Sequence, residues 1–399
     1  MVRYNSPHTR QVAKMMPYVC GIIFACFAFF YLYFYQADYL AQFQYHFSHG
    51  ETSYNSFVGA VLIILPLLVL GLFCHGMFRW PLRFCALSWF PSAFLLTFIT
   101  CLRFPELPDY SVGTPWISLI SLFVLFIIVA CLCLMHPDAT SERSTFSSYL
   151  SSNFLVLIIL FFMTGALGYD SGPGHRELRV GLLLQRGAYD EAVTLSSPEQ
   201  GGSYRLYALR TAALALDGQL GERLFEYPIP EASQTLLPQQ SDTLFVFSAL
   251  PILYKQMRAV PLFTKSFSER KFLQNTLALD SVPRPLVLDY LLCSYLLCGE
   301  LQSFSEVLLQ HTDSLTSSLP KHYREALVLQ SNLALSSAKP VTVSPSSSSS
   351  SSYEDAEMHA SLLRFDRLHQ AAQQGDMQAL DSLLDYTHTY WMYYVSRFQ

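Results

Sequence analysis

Long apolar runs in the first 170 residues constrain this chain more than any other feature. An α-helix rises about 1.5 Å per residue, so crossing the hydrocarbon core of a bilayer takes about 20 largely apolar residues. Five stretches meet or approach this length: residues 17–35, 57–78, 84–102, 115–135 and 153–169. The sequence therefore predicts a bundle of about five transmembrane helices within residues 1–170.

Lys and Arg in the short loops lie almost entirely on one side of these runs. Positive residues are retained on the cytoplasmic side during membrane insertion. The loops of the opposite side hold one such residue, whereas this side has Arg3, Arg10, Lys14, Arg79, Arg83 and Arg143. The distribution predicts a cytoplasmic N-terminus, and an odd number of spans then places the C-terminal part outside. In a bacterium, that part would be periplasmic and the bundle would lie in the inner membrane.

Residues 171–399 have the composition of a soluble domain and repeat one local pattern. An amphipathic stretch ends at a Gly, and a second amphipathic stretch begins with an apolar residue two positions later. The pattern occurs at Gly187, Gly218, Gly299 and Gly375. Because glycine adopts the left-handed conformation that ends many helices, each copy predicts a pair of helices joined by a tight turn.

The segment GAYDEAV resembles the turn of a tetratricopeptide unit, with Gly187, Tyr189 and Ala192 at that family's offsets. The spacings between the four glycines are 31, 81 and 76 residues, so the usual 34-residue period is not kept. We therefore expect an all-α chain in which the transmembrane bundle is followed by a degenerate, tetratricopeptide-like helical solenoid. The alternative is an ordinary helical domain with glycine-capped turns. The serine run at 346–352 predicts a disordered linker at about 336–354.

Several segments resemble an uncharacterised family of bacterial inner-membrane proteins, a domain of unknown function. They are LGERLFEYP (220–228), LDYLLCSYLL (288–297), LPKHYREALVL (319–329), TYWMYYVSRF (389–398), YLYFYQADYLA (31–41) and HGETSYNSFVGA (49–60). The resemblance implies several spans followed by a repeat-like helical domain. It implies no activity, cofactor or catalytic residue.

The common signatures of catalysis and cofactor binding are absent from the sequence. It contains no HExxH, no phosphate-binding Walker loop, no GxSxG and no GxGxxG after a predicted strand. The net charge is −5, and no block of Lys or Arg follows a span, so we expect no nucleic acid partner. We therefore expect no cofactor, and a non-enzymatic function is favoured.

Two groups of polar residues are candidate sites. Asp38, His46, His49 and Glu51 fall in the loop after the first span, where imidazole and carboxylate groups could hold a metal or exchange protons. The alternative for this loop is an interfacial helix lying on the membrane. Lys321, His322, Tyr323 and Arg324 form a candidate interaction surface. Its alternative is a helix start after Pro320 with a solvated charged face.

The leading hypothesis is a membrane-anchored, extracytoplasmic helical-repeat protein that acts as an interaction or assembly scaffold. Stacked helical pairs form extended surfaces that bind polypeptides. Its partners would be the lipid bilayer and other periplasmic or membrane proteins. The alternative is a membrane enzyme or carrier that handles a lipid-linked or small substrate at the outer face of the bundle.

Overall fold

The computed structural model of this chain is helical throughout the part that it describes. The described residues are 7–48, 51–78, 80–101, 115–135, 146–168, 172–196, 204–230, 236–237, 250–259, 268–279, 284–311, 319–336 and 351–398. Within these ranges there are 18 α-helices and no β-strand. The all-α prediction is confirmed for the described residues.

The chain divides into two compact units, Met1–Leu178 and Arg179–Gln399, which we call unit 1 and unit 2. The helices of unit 1 are α1 Pro7–Phe30, α2 Ala37–Ser48, α3 Ser56–Met77, α4 Phe90–Cys101, α5 Pro115–Met135 and α6 Phe146–Leu167. Four helical stretches of the described residues are long and apolar enough to cross a membrane. They are Lys14–Tyr35, Ser56–Met77, Leu82–Cys101 and Phe146–Leu167.

The fifth predicted span corresponds to α5. This helix has 21 residues and no charged side chain, but its described apolar part, Ile117–Cys133, is shorter than the other four stretches. A fifth span therefore stays a prediction. Helix α6 begins at Phe146 instead of the predicted 153. The residues before Asn153 continue the helix, and within it the Ser152 hydroxyl donates to the Ser148 carbonyl at 3.1 Å.

Two segments inside the apolar stretches of unit 1 leave α-helical geometry. Tyr31–Tyr35 is a π-helical turn, in which the N–H of Gln36 donates to the carbonyl of Tyr31 at 2.9 Å. Leu82–Trp89 is a 3₁₀ helix with a kink at Phe84. Both geometries are usually short because their hydrogen bonds are weaker than those of an α-helix. Neighbouring side chains must therefore support them.

Asn153 on α6 supports the 3₁₀ segment. Its buried side chain accepts a hydrogen bond from the N–H of Ala86 at 2.7 Å and donates to the carbonyl of Leu82 at 2.8 Å. Backbone polar groups without a partner are costly away from water. Asn153 therefore lets the chain depart from α geometry within an apolar stretch.

Trp89 lies at the centre of the core of unit 1. Its side chain is fully buried and stacks on Phe24 with ring centroids 5.3 Å apart. A Cβ at Gly21 would come within 2.8 Å of the indole, and a Cβ at Gly71 would overlap it. The absence of side chains at these glycines lets α1 and α3 pack directly on the tryptophan, as small residues do between membrane helices.

Apart from one of 23 residues, the described helices of unit 2 have at most 16 residues. The helices from residue 172 onward are α7 Gly172–Arg186, α8 Tyr189–Ser196, α9 Tyr204–Leu216, α10 Leu220–Arg223, α11 Leu250–Met257, α12 Glu269–Ala278, α13 Pro285–Leu297, α14 Leu301–Gln310, α15 Lys321–Ser336, α16 Ser351–Gln373, α17 Met377–Leu383 and α18 Tyr390–Phe398. Helices of this length are marginal by themselves, so packing must stabilise them.

The four glycine turns of unit 2 share one geometry. Gly187, Gly218, Gly299 and Gly375 have φ values of 75°, 73°, 72° and 93°. In each turn the glycine N–H bonds to the carbonyl three residues earlier, and the next N–H bonds to the carbonyl five residues earlier. This is the Schellman pattern of helix ends. The prediction that these glycines end helices in the left-handed conformation is confirmed.

A fifth turn of the same type has no glycine. Arg258 ends α11 with φ of 47°, and the N–H groups of Arg258 and Ala259 bond to the carbonyls of Lys255 and Tyr254. A residue with a Cβ is strained in this conformation by about 1 kcal/mol or more. The repeated turn therefore extends to a segment where the sequence gives no glycine signal.

The helices joined at Gly218, Gly299 and Gly375 pack as pairs, and these pairs pack on neighbouring helices. Direct packing occurs between α9 and α10, α13 and α14, and α16 and α17, while α9 contacts α13 and α14 contacts α15. Helix α10 also packs on both α13 and α15, and α18 packs on α15. In an open repeat array each unit contacts only its neighbours. The tetratricopeptide-like solenoid thus stays a prediction, and the stack is more closed than that prediction implies.

The predicted linker at 336–354 is only partly described. Helix α15 ends at Ser336 and α16 begins at Ser351, while residues 337–350 lie outside the described part. The last residues of the predicted linker, 351–354, are helical, which corrects the prediction there. Serine has an intermediate helix propensity, so a helix can extend through it.

Candidate functional sites

The outer-loop candidate site is only partly described. Asp38 lies half-buried in the first turn of α2, and Glu51 is exposed in the bend after that helix. The side chain of His46 and all of His49 lie outside the described residues. Among the residues that are described, no group of three or more His, Cys, Asp or Glu side chains could hold a metal. A site formed by these four residues stays a prediction.

Helix α2 is anchored in unit 1 by a tyrosine. Tyr39 is fully buried, and its hydroxyl donates to the carbonyl of Ile99 on α4 at 3.1 Å. Near the other end of α2, the amide of Gln44 donates to the hydroxyl of Thr52 at 2.8 Å. The helix is therefore held by specific bonds to α4 and to the loop that follows it. These contacts are more specific than those expected of a helix that only lies in a bilayer interface.

Buried hydroxyl groups connect the π-helical turn to α4 and α6. The hydroxyl of Tyr31 lies 3.2 Å from that of Thr100, and the amide of Gln36 donates to Tyr31 at 3.1 Å. The hydroxyl of Thr97 donates to that of Thr164 at 3.2 Å. These groups bond to one another across three elements, as polar residues between membrane helices do. The sequence did not indicate them because each polar residue stands alone in an apolar run.

The candidate surface at 321–324 is largely interior. His322 and Tyr323 are fully buried, whereas Lys321 and Arg324 are half-buried. Lys321 is engaged at both ends, since its N–H donates to the carboxylate of Glu222 at 2.7 Å and its Nζ donates to the carbonyl of His388 at 3.0 Å. The expectation of an exposed surface is corrected at His322 and Tyr323, whose positions on α15 face the core.

His322 belongs to a buried cluster that holds the C-terminal helix. Its Nδ1 lies 3.0 Å from the Glu325 carboxylate, and the same carboxylate oxygen accepts the N–H of Tyr390 at 2.7 Å. The indole of Trp391 donates to the Glu325 carbonyl at 2.9 Å. Phe225 packs edge-on against His322 and Tyr390. This geometry serves the docking of α18 on α15.

Tyr323 lies in a second buried cluster with Asp289 and Cys293. Its hydroxyl donates to the Asp289 carboxylate at 3.1 Å and lies 3.5 Å from the Cys293 sulfur. Loss of hydration raises the pKa of Asp289 to about 6, and burial also raises the pKa values of Cys293 and Tyr323. A Cβ at Gly221 would come within 2.6 Å of the Tyr323 ring. The Cys293 thiol is thus kept protonated, which makes it a poor nucleophile.

Glu269 fastens an irregular part of unit 2 to the first turn of α12. Its carboxylate oxygens accept the N–H of Leu236 at 3.1 Å and that of Leu237 at 3.2 Å. Both leucines are buried. Loss of hydration is the largest influence on this group, and it raises the pKa of Glu269 to about 7. The carboxyl group therefore titrates near neutral pH.

Exposed apolar side chains of unit 2 concentrate on the last glycine-linked helix pair. The large apolar residues exposed in the described part of unit 2 are Leu279, Leu309, Leu363, Met377, Leu380, Leu384 and Phe398. Three of them, Met377, Leu380 and Leu384, are spaced by three and four residues on α17 and the 3₁₀ turn that follows it. This spacing places them on one helix face. Their exposure has no signal in the sequence, because apolar residues at this spacing are typical of a buried helix face.

Over the described residues, these features define an all-helical protein of two units, with four apolar helical stretches long enough to cross a membrane. The chain belongs to a family of unknown function (DUF6057), whose model matches residues 57–261 and 253–397. No curated protein and no solved structure matches the chain. The resemblance to an uncharacterised family is confirmed at this level.

Proposed function

We propose that this protein is anchored in a bacterial inner membrane and that its unit 2 is an extracytoplasmic module that binds other proteins. The anchoring is supported by the outward apolar faces of unit 1. On α3, for example, Leu62, Leu65 and Val69 are exposed along one face. A water-soluble protein seldom exposes apolar patches of this kind. In this proposal the 21-residue helix α5 is the fifth span.

The proposed orientation depends on the loop charges. Six Lys or Arg residues on one side against one on the other favour a cytoplasmic N-terminus. With five spans, residues 179–399 are then extracytoplasmic. If only the four stretches without α5 crossed the membrane, residues 179–399 would be cytoplasmic. Whether α5 spans the membrane therefore decides on which side of it unit 2 lies.

The observation that carries the binding proposal is the repetition of one turn geometry through unit 2. Four glycines and Arg258 end helices with the same pair of hydrogen bonds, and after Gly218, Gly299 and Gly375 the next helix packs back on the one before it. Stacked helical pairs present broad surfaces to polypeptides without any catalytic group. In this proposal unit 2 is a degenerate, tetratricopeptide-like module.

The alternative, a membrane enzyme or carrier, has less support in the described residues. The buried hydroxyls of Tyr31, Thr100 and Thr164 are engaged in bonds between helices. The carboxylates of the half-buried Glu269 and the buried Glu325 in unit 2 hold backbone N–H groups of neighbouring segments. Polar groups used in this way stabilise the fold.

Chemical crosslinking of the full chain in intact cells of its host tests the proposal. After purification under denaturing conditions, crosslinked peptides are mapped by mass spectrometry. We expect reproducible links from residues 179–399 to other proteins, and few from residues 7–168. An unrelated membrane protein of similar abundance is the control. Links confined to unit 1, or only between copies of this chain, would contradict a scaffold role for unit 2.

A further inference from the structure

Helix α17 presents an apolar face that no described part of unit 2 covers. Met377, Leu380 and Leu384 are 73%, 51% and 64% exposed, whereas Ala379 and Leu383 on the opposite side are buried against unit 2. The helix therefore already uses one face for the fold. The second apolar face has no role in the packing of the described residues and is a candidate for intermolecular contact.

The exposed edge of this face is acidic. Asp381 and Asp385 are exposed and follow Leu380 and Leu384 by one residue each, so they border the apolar stripe on one side. The sequence MQALDSLLDY of residues 377–386 contains no Lys or Arg. The side chain of Asp376 caps the helix by accepting the N–H of Gln378 at 2.9 Å.

Charge distinguishes the three classes of occupant for such a face. Helices that lie on membrane surfaces carry Lys and Arg beside their apolar stripe, and anionic lipids would repel Asp381 and Asp385. A symmetric contact with a second copy would place these aspartates near their own counterparts, which like-charge repulsion disfavours. A segment with apolar residues next to Lys or Arg matches both the stripe and its acidic border.

We propose that the face formed by Met377, Leu380, Leu384, Asp381 and Asp385 docks a basic amphipathic helix of another protein. The apolar side chains of the partner pack on the stripe, as in other helix-face recognition, and its Lys or Arg side chains lie beside the two aspartates. This inference rests on the proposed function, because it names the partner chemistry for the protein-binding unit.

Photocrosslinking with two synthetic helical peptides tests the proposal. One peptide combines Leu with Lys, the other combines Leu with Glu in the same order, and both carry a benzophenone group. The full chain is held in nanodiscs of zwitterionic lipid, and crosslinks are mapped by mass spectrometry. We expect the Leu/Lys peptide to react at residues 377–385 about tenfold more than the Leu/Glu peptide, because two ion pairs are gained and two repulsions avoided.

Matched variants separate the apolar and the charged contributions. The triple change Met377→Gln, Leu380→Gln and Leu384→Gln should lower crosslinking at this face about tenfold or more. The double change Asp381→Asn and Asp385→Asn should lower it about threefold and abolish the preference for Lys over Glu. Leu309→Gln, which alters another leucine that is 62% exposed, should have no effect. All these positions are exposed, and thermal unfolding of each variant verifies folding.

Equal reaction of both peptides at this face would overturn the proposal, as would the absence of crosslinks to residues 377–385. Crosslinks between copies of the chain at this face would assign it to self-association instead. Crosslinks of cellular proteins to other surfaces of unit 2 would leave the proposed function standing while refuting this docking site. Cellular crosslinks to unit 1 alone would refute the proposed function itself.

Discussion

Two substitutions at equivalent turns should change the stability of unit 2 in opposite directions. Gly218 and Arg258 end α9 and α11 with the same hydrogen bonds and with φ values of 73° and 47°. Gly218→Ala places a Cβ on a left-handed residue, whereas Arg258→Gly removes one. A Cβ at Gly218 would meet no other atom within 4 Å. The effect there therefore comes from backbone conformation alone.

The size of the effect follows from two opposing contributions. A residue with a Cβ in the left-handed conformation costs roughly 1 to 2 kcal/mol. Replacing glycine also restricts the unfolded chain, which returns roughly 0.5 to 1 kcal/mol. We expect Gly218→Ala to lower the unfolding free energy by about 1 kcal/mol and Arg258→Gly to raise it by about 0.5 kcal/mol. The Arg258 side chain is exposed, so its removal loses little packing.

Hydrogen exchange read by mass spectrometry on the full chain in nanodiscs measures both effects locally. A loss of 1 kcal/mol increases the open population of residues 204–226 about fivefold. Gly165→Ala on α6 is the control, because a Cβ there also meets open space but the glycine has no positive φ. Equal responses to Gly165→Ala and Gly218→Ala, or faster exchange after Arg258→Gly, would refute the reasoning.

Three further predictions concern other parts of the chain. A reporter that is active only outside the cytoplasm should be active after Gln399 and silent at Ser144; the reverse result would overturn the proposed orientation. Asn153→Leu should lower the unfolding free energy of the full chain by roughly 1 to 3 kcal/mol, because the Ala86 N–H and the Leu82 carbonyl lose their partner. The neighbouring change Ser152→Ala should have little effect. The pKa of Glu269 is about 7 in the folded chain, whereas the ordinary pKa of a glutamate is about 4.5. Between these two pH values the folded chain therefore holds a proton that the unfolded chain has released. The unfolding free energy should therefore fall by about 1 to 3 kcal/mol as pH rises from about 4.5 to about 7 and then level off. Glu269→Gln should flatten this slope, leaving a smaller one from Asp289; an unchanged slope would show that Glu269 does not titrate in this range.

Glycine turns could be predicted from sequence because the conformation they need is specific to glycine. The signal at Gly218 and Gly299 is local, and the structure has left-handed turns there. The same turn at Arg258 could not be predicted, since tertiary packing holds an arginine in a conformation that its own propensity disfavours. The 3₁₀ segment Leu82–Trp89 was equally hidden, because hydropathy records apolar content and not the hydrogen-bond pattern that Asn153 permits.

The segment 321–329 shows how charge can mask a core face. His322, Glu325, Ala326 and Leu329 recur at helical spacing and are all buried, so the periodicity was present in the sequence. If the charged residues of this segment are interpreted as a solvent-exposed face, His322 and Tyr323 are predicted to be exposed. The pairing of His322 with Glu325, and of Glu325 with the Tyr390 N–H, depends on α18. That helix lies more than 60 residues further along the chain, beyond the reach of local patterns.

The two units differ in what an exposed apolar side chain means. In unit 1 the interior holds Asn153 and the hydroxyls of Thr97, Thr100 and Thr164, while apolar side chains cover the outside of α3, α5 and α6. A bilayer, as we propose, would be the solvent that matches such a surface. Unit 2 has an apolar core and exposes few large apolar side chains, as expected of a protein in water. Its stripe on α17 is the exception, because three such residues share one short helix whose other face, with Ala379 and Leu383, is already packed. A face of this kind is explained by a partner more readily than by the fold.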